Sequence, residues 1–93
     1  MENYEGIFII KSEIKEEDTN KVFKVIMDSV TKYGGAIKKE DPWGKRQLVY
    51  PVKKQKDGYY YKLDFSAPTE AIAKLEEVYR LNDDILRTMI TRR

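Results

Sequence analysis

Five cations and five aromatic rings fall within the nineteen residues 43–61 (WGKRQLVYPVKKQKDGYYY), and these are the side chains with the most chemistry to offer. Lys45, Arg46, Lys53, Lys54 and Lys56 supply the charge, with Trp43, Tyr50, Tyr59 and Tyr60 interleaved among them. Cations attract phosphate and aromatic faces stack on unpaired bases, so the combination suits RNA. The basicity is local. Residues 43–62 carry six Lys/Arg against one Asp/Glu, whereas residues 1–42 carry seven against nine and residues 63–93 five against six. A segment at +5 in a chain whose net charge is +2 marks a binding arm on an otherwise balanced protein. The competing explanation is that the lysines solubilise an exposed hairpin and keep its edge from pairing with other chains. Arg87, Arg92 and Arg93, near the end of the chain, extend the same positive surface.

Catalytic readings find little support. The chain has neither histidine nor cysteine, which removes the commonest general base, the usual transition-metal ligand and all thiolate chemistry. The paired carboxylates, Glu16-Glu17, Glu40-Asp41, Glu76-Glu77 and Asp83-Asp84, are adjacent in sequence and fit solvated faces, caps and turns. Gly34-Gly35 follows a predicted helix instead of opening one, so it is no phosphate-cradling loop. No enzyme activity, cofactor, metal or small-molecule substrate is expected. The longest apolar run, residues 7–10, is far short of the roughly 20 residues that span a bilayer. A cytoplasmic chain with no membrane partner is the expectation.

The elements that must position the arm can be read from periodicity. Residues 4–11 (YEGIFIIK) form a strand, apolar on both sides: Phe8 and Ile10 on one, Ile7 and Ile9 on the other. A second apolar face is either a hydrophobic sheet surface or one that a partner covers. Residues 16–33 form a helix with acidic residues in its first turn and Phe23, Ile26, Met27, Val30 and Tyr33 along one stripe. Gly34 and Gly35 end it. A second strand starts at residue 36, is broken by a bend at Pro42-Trp43-Gly44, and resumes over 45–52. Residues 53–58 are read as the turn, with Asp57-Gly58 its hairpin signal. The return strand, 59–65, alternates Tyr61, Leu63 and Phe65 with Tyr60, Lys62 and Asp64. Ser66-Ala67-Pro68 opens a second helix with the stripe Ile72, Leu75, Val78 and Tyr79, and residues 85–91 form a last strand.

Ninety-three residues, 41% apolar, make a single domain over residues 1–93. The order β-α-β-β-α-β is a split βαβ pattern: an α+β fold, with a four-stranded antiparallel sheet and two helices on one of its faces. Right-handed crossovers place the first and third strands in the centre. Sheets of this class often read RNA through aromatics on their central strands. Residues 57–61 (DGYYY) depart from that RNP1 pattern, because Tyr60 stands where a small residue belongs.

Taken together, these residues resemble a known family, bacterial small-subunit ribosomal protein six. The resemblance covers essentially the whole chain. Residues 40–52 (EDPWGKRQLVYPV) are similar to the family's most distinctive run, W-G-x-R-x-L-A-Y-P-I, and Tyr4-Glu5, Tyr33-Gly34, Gly58-Tyr59-Tyr60 and residues 82–87 fall where the family places them. Val49 and Val52 replace alanine and isoleucine, and Glu2-Asn3 replaces a start that is often basic. The resemblance implies a ferredoxin-like fold without catalysis, as a structural component of the small ribosomal subunit. It further implies binding to the central domain of the small-subunit ribosomal RNA together with ribosomal protein eighteen. That partner would cover the second apolar face, at Ile7, Ile9, Tyr60 and Met89. The alternative is a ligand-sensing or homo-oligomerising module of the same fold.

Overall fold

The computed structural model describes residues 1–52 and 55–93, with side chains for all of these except 16, 48–52, 55 and 56. The elements run β1 (Glu2–Lys11), α1 (Glu16–Lys32), β2 (Ala36–Val52), β3 (Gln55–Ala67), α2 (Thr69–Arg80) and β4 (Ile85–Arg92). They form one four-stranded sheet in the order β2-β3-β1-β4, with every neighbouring pair antiparallel. The expected ferredoxin-like α+β fold is therefore present, and β1 and β3 are its central strands.

Both helices lie on one face. Phe8, Ile10, Tyr61, Leu63 and Phe65 project from the central strands into a core with Val22, Phe23, Ile26 and Val30 of α1 and Ala71, Leu75 and Tyr79 of α2. Rings dominate this core. Phe23 stacks on Tyr61 with centroids 4.1 Å apart, and Phe8 meets Tyr79 edge-on at 5.0 Å. Each such fully buried side chain contributes roughly 1.5–3 kcal/mol of transfer free energy, so these few rings hold the helices to the sheet. The predicted stripes on both helices face this layer.

The helix ends follow their sequence signals. Gly34, at φ +88°, ends α1, and the Gly34 and Gly35 amides donate to the carbonyls of Thr31 and Val30. Those two bonds make a Schellman cap, which satisfies carbonyls the helix leaves open. At the start of α2 the expectation is corrected: Ser66 and Ala67 belong to β3, and Pro68 is the extended residue immediately before the helix. Proline's fixed φ and missing amide suit that junction.

A second correction concerns the hairpin. Asp57 and Gly58 are not its turn. They pair with Gln47 and Arg46 inside the β2–β3 ladder, which continues to the pair Val52 and Gln55. Gly58 also pairs with Lys11, the last residue of β1. Beyond that point β2 and β3 pair only with each other, so residues 47–52 and 55–57 continue as a two-stranded ribbon past the rest of the sheet.

Candidate nucleic-acid and partner interface

The arm is shaped by a bulge at the predicted bend. Pro42 pairs with Tyr61 and Gly44 with Tyr60, leaving Trp43 as the extra residue, and Gly44 takes φ +83°. A positive φ is a conformation that only glycine adopts without strain, so the bend depends on this residue type. The Trp43 ring lies on the face away from the helices. It stacks on Tyr60 with centroids 6.0 Å apart and planes 9° from parallel, and its Nε1 donates to Asp41 Oδ2 at 3.1 Å. The Arg46 guanidinium carbon is 5.7 Å from the Trp43 ring centroid.

The predicted cations differ in how committed they are. Lys45 Nζ is 3.6 Å from Asp57 Oδ2. Asp57 also accepts a hydrogen bond from the Ser12 hydroxyl. That bond and the Lys45 charge hold the Asp57 carboxyl below its ordinary range. Arg92 reaches Glu2 at 2.8 Å, and Arg93 reaches Asp64 at 3.2 Å and Glu5 at 3.7 Å. By contrast, Arg46 and Arg87 are exposed, and neither forms an ion pair among the described residues. Lys53 and Lys54 fall outside the described residues, as does the side chain of Lys56. The positive surface is thus uneven: Arg46 and Arg87 present bare charge, while Lys45, Arg92 and Arg93 are partly neutralised within the chain.

The four residues expected on a partner face share the open face of the sheet. Ile9 pairs with Tyr60 on one side and Arg87 on the other, and Ile7 pairs with Lys62 and Met89. They are not equally available. Ile9 is only 4% exposed because Tyr60 and Leu86 close over it. Met89, 37% exposed, and the half-buried Ile7 carry the remaining apolar surface. Leu86 has no counterpart among the sequence-predicted site residues. It reaches this cluster through a register shift where β4 pairs with Ile9 and Ile10, which only long-range pairing reveals. Lys62, Glu5, Arg93 and Asp64 form a chain of ion pairs on the same strands, with Lys62–Glu5 at 3.7 Å. An apolar centre flanked by charge has the anatomy of a protein interface.

No helix among the described residues is long and apolar enough to cross a membrane. Comparison with known proteins gives a consistent result. Residues 3–92 match the sequence profile of the family described as Ribosomal protein S6. The small ribosomal subunit protein bS6 of Desulforamulus reducens is 41% identical over 92 residues, which is 99% of this chain and 97% of the relative. That of Clostridium novyi is 37% identical over 90 residues, covering 97% and 95%. The crystal structure of 30S ribosomal protein S6 from Thermotoga maritima superposes with a TM-score of 0.93 at 28% identity, over 99% of this chain and 87% of that one. With sequence profile, full-length relatives and fold in agreement, the chain belongs to the ribosomal protein S6 family of the small ribosomal subunit.

Proposed function

We propose that this chain is a non-catalytic structural component of the cytoplasmic ribosome, binding the central domain of the small-subunit ribosomal RNA together with ribosomal protein eighteen. The observation that carries the reading is the two-stranded ribbon. On the fold of a ribosomal family, it extends past β1 from within the segment 43–62, whose net charge is +5. A protruding ribbon within a basic segment, with the exposed Trp43 ring at its base, can enter a groove between RNA helices and neutralise phosphates there. The open face, with Ile7 and Met89 at its surface, is the proposed seat of the protein partner.

The test is binding of the chain to a transcribed central-domain fragment, with and without ribosomal protein eighteen, over a range of salt. Affinity should fall steeply with salt. Replacing Lys53 and Lys54 together by glutamate should weaken it and flatten the log–log slope by roughly 0.7–0.9 for each phosphate that is no longer neutralised. Binding that ignores salt, or no binding in either condition, overturns the reading.

A further inference from the structure

In a regular strand, residues 43 and 46 point to opposite faces, because side chains alternate with a period of two. Here they share one. The extra residue at the bulge shifts everything after it by one position, so Lys45 pairs with Tyr59 of the core-facing set and Arg46 with Gly58 of the open-face set. The result is a layered group on the edge of the open face, with Tyr60, Trp43 and Arg46 in succession.

Each layer is held in place from below. Tyr60 packs on the buried pair Ile9 and Leu86, and Trp43 is oriented by its bond to Asp41 and its stack on Tyr60. Trp43 remains 39% exposed, an unusual state for a ring so firmly positioned. Arg46 has no carboxylate partner among the described residues, so its planar guanidinium keeps its donors for an external acceptor.

We infer that Trp43 and Arg46 form a stacking site for a single unpaired nucleobase, with Arg46 also engaging the adjoining phosphate; this rests on the RNA-binding reading above. A base has two π-faces and carries its own anionic link, which matches an indole beside a bare guanidinium. Protein hot spots also use Trp, Tyr and Arg. The charge favours RNA over that occupant, since both residues belong to the one segment of the chain with a net +5. The site also differs from the RNP1 arrangement, because it is built from an edge strand and a bulge.

Trp43 is the only tryptophan in the chain, so its emission reports on this site alone. The full-length protein is titrated with the central-domain fragment, with ribosomal protein eighteen, and with both, using Trp43→Ala as the blank for any partner emission. The RNA should quench Trp43. Trp43→Ala should weaken RNA binding about tenfold with an unchanged salt slope, and Trp43→Phe should retain most of the affinity. Arg46→Lys should keep the slope yet lose affinity, because an ammonium preserves charge but not the plane. If Trp43→Ala does not fold, the wild-type quench and the Trp43→Phe and Arg46→Lys affinities decide the matter. Tight RNA binding without quenching, or Trp43→Ala binding as well as wild type, overturns the inference and leaves the ribosomal reading standing. Quenching by the partner protein alone assigns the stack to that protein and likewise overturns it. Absence of any RNA binding removes both readings together.

Discussion

Gly58 lies so close to Ile9 that a Cβ on it would stand 2.8 Å from Ile9 Cγ2 and 3.0 Å from the Ile10 carbonyl oxygen. The glycine is required by crowding between β3 and β1, and its φ is not in the left-handed region. Gly58→Ala should therefore destabilise the protein by about 1–3 kcal/mol, the usual cost of forcing atoms into a packed site. Urea denaturation would show it as a lower midpoint at unchanged m-value. Gly44→Ala makes an instructive contrast. There a Cβ meets nothing within 4 Å, and any cost comes from φ +83° alone.

The Tyr79 hydroxyl donates to the Ile26 carbonyl at 2.8 Å in the buried layer between the helices. Burial, with Tyr61 adding to it, raises the Tyr79 phenol pKa well above the ordinary tyrosine value. The unfolded chain ionises near pH ~10, where the folded one still holds its proton. Between those two values the unfolded state binds fewer protons, so this stabilisation is complete below pH ~10 and declines as pH rises, by at most ~1.4 kcal/mol per pH unit. Tyr79→Phe should cost about 1 kcal/mol at neutral pH through the lost hydrogen bond. It should also make the alkaline decline shallower. Urea midpoints taken across the alkaline range would check both effects, and equal slopes for the two proteins would refute the second.

Asp57 joins Ser12 at the end of β1 to Lys45 on β2, at the base of the projecting ribbon. Its lowered pKa means that the stabilisation is present above the unfolded value near ~3.9 and is lost as pH falls through the folded one. Asp57→Asn removes it at every pH and releases Lys45. Amide exchange at residues 45–47 and 57–59 should then speed up. Affinity for the central-domain fragment should rise, with a steeper salt slope, because one neutralised cation becomes available to phosphate. Unchanged RNA affinity would mean that Lys45 does not face the nucleic acid.

The features legible in the sequence are those that a single element decides. The Pro42-Trp43-Gly44 interruption, the glycine stop after α1 and the alternation from Tyr59 to Phe65 all depend on local geometry, and each is present. Asp57-Gly58 has the local chemistry of a turn, but the sheet gives Gly58 a different task, set by Ile9 on another strand. The same limit applies to the site. Arg46, Arg92 and Arg93 are equivalent as charges in the sequence. Only the strand pairing brings Glu2, Glu5 and Asp64 to the last two and leaves the first beside Trp43. Likewise, the cover over Ile9 depends on the register of β4, so its burial could not be foreseen from β1.

Ile7 and Met89 are paired across β1 and β4, and Met89 is one of the large exposed hydrophobics of the described chain. If this face seats ribosomal protein eighteen, Met89→Glu should sharply weaken its capture, since a charge would have to be desolvated at the centre of the contact. The stability cost should be modest, about 1 kcal/mol, because Met89 is 37% exposed and lies outside the buried core. Ile9→Ala separates structure from interface. Its side chain is already covered by Tyr60 and Leu86, so it should cost about 2–5 kcal/mol of stability through the cavity left beneath them. Its effect on capture should follow that loss. Calorimetry of the purified pair, alongside sedimentation of the chain alone, distinguishes the outcomes. Wild-type capture by Met89→Glu removes the partner from this face. Self-association of the wild type that Met89→Glu abolishes would give the face to a second copy of the chain.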